Sequence, residues 1–128
     1  MKLLIITTTP GPAKCLADAV LQLGEHFEVT VLISTDPRYG GGGDVYDQRS
    51  MQWQSVEACL DDYVPLHVTE AQAKRLLDVH TPDLVLCGAT RDASGEQRML
   101  EDAICHAASI VGIPNFQFIE GWEVWYPR

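Results

Sequence analysis

The sequence predicts a three-layer α/β sandwich built on a mostly parallel sheet of about five strands. Short apolar runs alternate along the chain with segments whose apolar residues recur at helical spacing. The clearest runs, KLLIITT and DLVLC, do not alternate apolar with polar residues, as expected for strands buried on both faces. Helix start and stop residues stand between the two kinds of segment. Such alternation favours a parallel sheet with helices on both faces, and 128 residues suit a single domain over 1–128.

The amino-terminal third predicts a strand, a helix and a second strand. Residues 2–8, KLLIITT, form the first apolar run. Pro12 suits the first position of a helix, where its missing N–H costs nothing, and Gly24 suits the helix end. The apolar run FEVTVLIS at 27–34 predicts the second strand.

The middle of the chain predicts less regular structure. Residues 35–50 include the four glycines Gly40–Gly43 and predict a flexible surface loop, with a lid over a neighbouring site as the alternative. A short helix is expected where Trp53, Val56, Leu60 and Tyr63 have near-helical spacing. The run VPLHV at 64–68 predicts a short edge strand, because Pro65 would break the hydrogen bonding of a central one.

Two capping boxes mark the helices of the second half. Thr69 and Gln72 open a helix that runs to about His80, where Pro82 ends it. Ser94 and Gln97 open the second. Its apolar face consists of Met99, Leu100, Ala103, Ile104, Ala107, Ala108 and Val111.

The last two strands follow from the remaining apolar runs, DLVLC at 83–87 and NFQFI at 115–119. Right-handed crossovers then favour the strand order 3-2-1-4-5 of a Rossmann-like sheet.

Composition restricts the partners. The net charge of -9 and the sequence pI near 4.6 argue against nucleic acid and against anionic membrane surfaces, since both need a basic face. The amino terminus lacks the pattern of a signal peptide, and no apolar run is long enough to span a membrane. A cytoplasmic location is therefore expected.

Metals and cofactors are not expected. The four cysteines are widely spaced, and each lies in an apolar periodic segment, so buried, reduced thiols are predicted. The histidines lack the spacing of zinc ligands. The chain has no G-x-G-x-x-G or P-loop motif, and Asp36 is better explained as a turn residue than as a ribose ligand.

The candidate site lies where the strand order reverses, beyond the carboxyl ends of the first and fourth strands. The loops TTPGPAK and GATRDASG meet there, and both lead into helix amino termini that favour an anion. Arg91 is the most informative residue, because turn and cap chemistry do not require it. Ordinary turn and cap chemistry is the alternative for the others. The predicted ligand-binding residues from these loops are Thr9, Gly11, Lys14, Gly88, Thr90, Arg91 and Ser94.

Three aromatic residues, Trp122, Trp125 and Tyr126, follow the last strand. They predict apolar packing that closes the sheet edge or a contact with a second subunit. A stacking platform for a base or sugar is the alternative.

Residues 82–122 carry a family resemblance. PDLVLCGAT, a helix and GIPNFQFIEGW are similar to the amino-terminal Rossmann-like half of GT-B-type nucleotide-sugar enzymes, with UDP-N-acetylglucosamine 2-epimerases and related glycosyltransferases the most similar. Those epimerases typically show P-D-x-V-x-x-x-G-D-T, a helix and G-I-P-x-x-H-V-E-A-G. With one residue fewer before the glycine of the first motif and one more before the glutamate of the second, Thr90 and Glu120 match the motif threonine and glutamate. Ala89 and Phe118 replace its aspartate and histidine, and Gly121 and Trp122 replace its alanine and glycine.

The resemblance implies a small anionic or sugar-containing ligand, adds Glu120 to the site and implies no catalysis by this domain alone, because the donor sits mainly on a second half in those enzymes. An alternative is a non-enzymatic interaction domain that dimerises through its aromatic carboxyl-terminal edge. A third hypothesis is a small hydrolase or transferase with Glu120 or Asp92 as base. Whether the chain is an enzyme is left open.

Overall fold

The strands and helices were determined in a computed structural model, which describes residues 1–8, 10–23, 26–34, 42–60, 62, 68–88 and 100–118. Within these residues the strands are β1 (Lys2–Thr7), β2 (Glu28–Ile33), β3 (Gln54–Ser55), β4 (Leu84–Gly88) and β5 (Asn115–Phe118). They form one sheet in the order β3-β2-β1-β4-β5, and each pairing is parallel. The predicted α/β class and strand order are confirmed.

Helices cover both faces of this sheet. The helices are α1 (Pro10–Leu23), α2 (Gly42–Asp47), α3 (Val56–Cys59), α4 (Glu70–His80) and α5 (Leu100–Val111). Because side chains alternate along a strand, the two faces of β1 contribute to two separate cores. Leu3 and Ile5 pack with α1 and α2, whereas Leu4 and Ile6 pack with α3, α4 and α5. The absence of apolar–polar alternation in KLLIITT is thereby explained.

The predicted capping box of α4 is confirmed. The backbone N–H of Gln72 donates to Thr69 Oγ1 at 3.1 Å, and the backbone N–H of Thr69 donates to Gln72 Oε1 at 3.0 Å. At the other end Thr81 takes a left-handed conformation, and its N–H donates to the carbonyl of Leu77 at 2.8 Å. Pro82 follows, so the helix ends where the sequence predicts.

Two predictions about the middle of the chain were wrong. Residues 42–47, expected in the loop 35–50, form α2, and residues 35–41 lie outside the described part. The strand beside β2 is formed by residues 54–55, which the sequence placed in a helix. The expected edge strand at 64–68 has only Val68 among the described residues, and Val68 is not in a strand.

Smaller corrections concern burial and one helix end. Helix α1 begins at Pro10, before the predicted Pro12. Val111 is exposed although its spacing placed it on the apolar face of α5. Of the cysteines, Cys87 and Cys105 are buried as expected, but Cys15 is exposed and Cys59 is half-buried. Cys15 follows Lys14 on the solvent side of α1, so its apolar neighbours in sequence belong to the opposite face.

Candidate functional site

The switch point of the sheet lies between β1 and β4. These strands pair in parallel with Ile6 opposite Cys87, so Thr7 and Gly88 end them side by side. This edge, where the carboxyl ends of all the parallel strands lie, is called the carboxyl edge below. Helix α1 begins shortly after β1 at this edge, and the described part of α5 begins here as well. The predicted position of a ligand site therefore exists in the fold.

Gly88 is enclosed by both of these helices. A Cβ atom added to it would lie 2.8 Å from Glu101 Oε2 and 2.8 Å from Pro12 Cβ. Distances this short are not tolerated between non-bonded atoms, so only glycine fits. The space in front of Gly88 Cα thus holds side chains of the protein, and the glycine is explained by helix packing without a ligand.

A buried carboxylate lies at this point of the carboxyl edge. Glu101, in the first turn of α5, is 0% exposed. The hydroxyl of Thr8, which follows β1 directly, donates a hydrogen bond to Glu101 Oε1. A carboxylate in the first turn is also favoured by the helix dipole. The pair ties the end of β1 to the start of α5 across the switch point.

A buried phenol lies beside this carboxylate. Tyr46 of α2 is 0% exposed, and its hydroxyl shares a 2.9 Å hydrogen bond with Thr7 Oγ1. The pKa of Tyr46 is raised to about 12, chiefly by burial, with the hydrogen bond to Thr7 opposing the shift and the charge of Glu101 adding to it. The phenol is thus neutral at physiological pH. Together Thr7, Thr8, Tyr46 and Glu101 form a polar group, called the switch-point cluster below.

A second carboxylate bridges the ends of β2 and β3 at the same edge. Glu57 of α3 accepts hydrogen bonds at 2.8 Å from the hydroxyls of Ser34 and Ser55, one on each carboxylate oxygen. Ser34 follows β2 and is buried, and Ser55 ends β3. The described part of the carboxyl edge therefore contains hydroxyls and two carboxylates that hydrogen-bond to one another.

The structure places three of the predicted ligand residues. Gly88 ends β4, and Gly11 lies in the first turn of α1 rather than in a loop. Lys14, one turn later, is exposed, and its charge contributes to the lowered pKa of Asp18, whose largest cause is the hydrogen bond from Arg49. Outside the described residues lie the other ligand residues, Thr9, Thr90, Arg91, Ser94 and Glu120, and the aromatic Trp122, Trp125 and Tyr126.

The switch-point cluster was not predicted from the sequence, although the sequence contains one indication of it. Glu101 has helical spacing to the apolar Ile104, Cys105 and Ala108, which are buried. An acidic residue within an apolar stripe is a candidate for a buried carboxylate with a partner. No comparable indication pointed to Tyr46, because its glycine-rich surroundings predict a loop.

A groove in the described part of the chain lies away from the switch point. It has a volume of about 580 Å³ and runs between residues 29–31 of β2 and residues 50–54, with Asp47 at its rim. We place the candidate ligand site at the switch point and not here, since the strand-order reversal and the buried polar cluster both lie there.

Two further searches of the described residues gave no site. No group of three or more His, Cys, Asp or Glu side chains is arranged to hold a metal ion in the parts of the chain that the structure describes. None of the helices in those parts has the length and apolar character needed to cross a membrane.

Comparison with known proteins gives a structural likeness without a family. No family model matches the chain, and no curated protein matches it in sequence. The fold is similar to that of a solved structure, the S. aureus MnaA–UDP co-structure, with a TM-score of 0.63 and 18% sequence identity. The likeness covers 91% of this chain and 30% of that chain. At this identity it shows the fold, and it extends the fold resemblance predicted from residues 82–122 to nearly the whole chain.

Proposed function

We propose that this chain is a nucleotide-sugar-binding α/β domain that takes a UDP-containing ligand at the carboxyl edge between β1 and β4. The observation that carries the proposal is the likeness, over 91% of the chain, to a protein whose structure was solved with UDP. Ligands of open parallel sheets bind where the strand order reverses, and the switch-point cluster lies there.

The ligand residues of the proposal are those that the sequence singles out. Lys14 and Arg91 would bind the phosphates. At the start of α1 the N–H of Gly11 would add a donor, since Pro10 and Pro12 have no N–H. The buried Glu101 makes its own neighbourhood unfavourable for an anion. Sugar hydroxyls would therefore lie toward the cluster and phosphates away from it. The site would be completed by Gly11, Thr90, Ser94 and Glu120.

We further propose that the domain does not catalyse glycosyl transfer alone. The chain spans 30% of the length of the UDP-bound protein to which it is similar. Epimerase and transferase chemistry is expected to need groups from a second domain, which leaves binding as the function of this one.

The proposal is tested by calorimetric titration of the protein with UDP and UDP-N-acetylglucosamine, together with thermal unfolding. A ligand at 100 times its dissociation constant adds about 2.7 kcal/mol to the free energy of unfolding. Arg91→Ala should abolish this gain. Arg75→Ala is the matched control, because Arg75 is an exposed residue of α4 whose ion pair with Asp62 is long, at 3.7 Å.

Each outcome of this titration has a definite meaning. Binding that Arg91→Ala removes and Arg75→Ala preserves supports the site. Absence of binding by the wild-type protein, or equal binding by both variants, refutes it.

A second candidate function, dimerisation, is favoured by the edge strand β5. Phe116 is 63% exposed there, on the same sheet face as the half-buried Phe118, Leu84 and Leu86. An exposed aromatic residue on an edge strand is suited to contact with a second copy, to which Trp122, Trp125 and Tyr126 would contribute. Sedimentation velocity would detect a dimer that Phe116→Ser weakens, and a monomer at all concentrations would exclude it.

A further inference from the structure

Among the residues that the structure describes, strand β2 is paired on its outer side over only part of its length. It runs from Glu28 to Ile33, whereas β3 pairs with Leu32 and Ile33 only. The outer edge of residues 29–31 borders the groove of about 580 Å³ described above, here called the β2 groove.

The backbone of β2 directs hydrogen-bonding groups into this groove. The N–H of Glu28 donates to the carbonyl of Met1, on the β1 side. Because backbone groups alternate in direction along a strand, the N–H of Thr30 also faces β1, and those of Val29 and Val31 face the groove. The N–H groups of Val29 and Val31 are two residues apart, which is the spacing at which an added strand accepts hydrogen bonds.

The opposite wall of the β2 groove is held in place by the chain itself. Ser50, with φ of 56°, takes a left-handed conformation that turns the chain after α2. Trp53 Nε1 donates to Asp47 Oδ1 at 2.9 Å, and a Cβ on Gly43 would lie 2.9 Å from the indole ring. The indole and Met51 thus provide a fixed apolar wall facing the strand edge.

The residues that line the β2 groove give it a negative charge, which favours some ligands over others. Asp47 is the one charged residue among those lining it in the described part of the chain. The nearby cation Arg49 is engaged with Asp18 at 2.7 Å and with the carbonyl of Val45 at 3.0 Å. With a net charge of -9 on the whole chain, the groove favours a basic occupant.

We propose that the β2 groove binds an extended peptide with basic side chains, which adds to the sheet as a strand beside residues 29–31. The peptide backbone would accept hydrogen bonds from the N–H groups of Val29 and Val31 and donate one to the carbonyl of Val29. The carbonyl of Val31 is left out, because the register of β3 directs the N–H of Gln54 to it. Alternate apolar side chains would contact Trp53 and Met51, and a lysine or arginine would pair with Asp47. This site is separate from the proposed nucleotide-sugar site, so either can fail without the other.

The test uses the synthetic peptide Lys-Val-Thr-Val-Lys and amide hydrogen exchange measured by NMR on the whole chain. With the peptide at ten times its dissociation constant, exchange at Val29 and Val31 should slow about tenfold. Thr30, whose N–H already faces β1, is the internal reference and should not change. Two control peptides, one N-methylated along its backbone and one with glutamate in place of lysine, should bind more weakly.

Two matched variants test whether the negative charge of Asp47 contributes to peptide binding. Asp47→Asn keeps an acceptor for Trp53 and should weaken binding about two- to fivefold at low salt, as expected for an exposed ion pair. Asp78→Asn, at an exposed position of α4, should leave affinity unchanged. Three results would overturn the proposal. The N-methylated peptide could bind as tightly as the unmodified one, or exchange at Val29 and Val31 could stay unchanged when the peptide is added. In the third, protection of these amides would rise with protein concentration alone. The last result would identify a second copy of the chain as the occupant.

Discussion

Gly88 offers a sharp test of how the switch point is assembled. Replacing it with alanine adds one methyl group where two atoms, Glu101 Oε2 and Pro12 Cβ, would each lie 2.8 Å away. The first belongs to a side chain that is buried and hydrogen-bonded, and the second is part of a rigid ring in α1. Neither atom can move aside cheaply, so the added methyl must push α1 and α5 away from β4.

The expected loss in free energy of unfolding for Gly88→Ala follows from the effect of overpacking in other protein interiors. Inserting a methyl group into a packed interior destabilises by about 1–3 kcal/mol. An unfolding entropy of about 2.1 cal/mol/K per residue gives this 128-residue chain about 0.27 kcal/mol per kelvin. Gly88→Ala should therefore lower the melting temperature by about 4–11 °C.

Circular dichroism during thermal and urea unfolding would measure the change. A double-mutant cycle identifies its cause, because Glu101→Ala removes one of the two contacts. The alanine at 88 should then cost less by at least about 0.5 kcal/mol. Thr69→Ala, at the distant amino-terminal cap of α4, is the control. The loss in free energy of unfolding in the Gly88→Ala/Thr69→Ala protein should equal the sum of the two single losses within about 0.5 kcal/mol. A fully stable Gly88→Ala protein, or a cost that Glu101→Ala leaves unchanged, would refute the packing explanation.

Two further predictions concern titration and thiol reactivity. The pKa of Tyr46 is raised to about 12 from the ordinary tyrosine value of 10.0, so the folded state holds this proton more tightly than the unfolded state does. The stability of the protein therefore falls as pH rises from about 10 to about 12. Urea unfolding at several pH values should show that the free energy of unfolding falls by about 2–3 kcal/mol as Tyr46 titrates. Tyr46→Phe should remove this loss, and equal pH dependence in both proteins would contradict the assignment. Iodoacetamide should modify Cys15 first in the native protein, because Cys15 is exposed, whereas the hydrogen bond with Cys105 and burial raise the pKa of Cys87. Mass spectrometry of the native and unfolded protein would check this order, and early labelling of Cys87 would be inconsistent with the buried core.

The sequence predicts the elements whose pattern has a local cause. The apolar run of β1 and the capping box at Thr69 depend on side-chain polarity and on hydrogen bonds within one turn. By contrast, β3 has two residues and is too short to show a period. Helix α2 begins in glycines, which disfavour helices, and it is held by tertiary contacts such as that of Trp53 with Gly43.

The switch point was predicted from the sequence, but the polar cluster that the structure describes there was not. The switch point follows from strand order, and strand order follows from the handedness of crossovers. The partners of Glu101 do not follow, because Thr8 and Glu101 are 93 residues apart and Thr7 and Tyr46 are 39 apart. Only the folded chain brings these groups together.

The central position of β1 has a consequence for synthesis on the ribosome. It is made before the other described strands, and its partner β4 begins only at Leu84. At about 5–20 residues per second, the β4 side of this apolar strand stays unpaired for about 4–15 s. An unpaired apolar strand is a template for association with other nascent chains. Chaperone capture during this interval is therefore expected to decide how much of the protein reaches its native sheet.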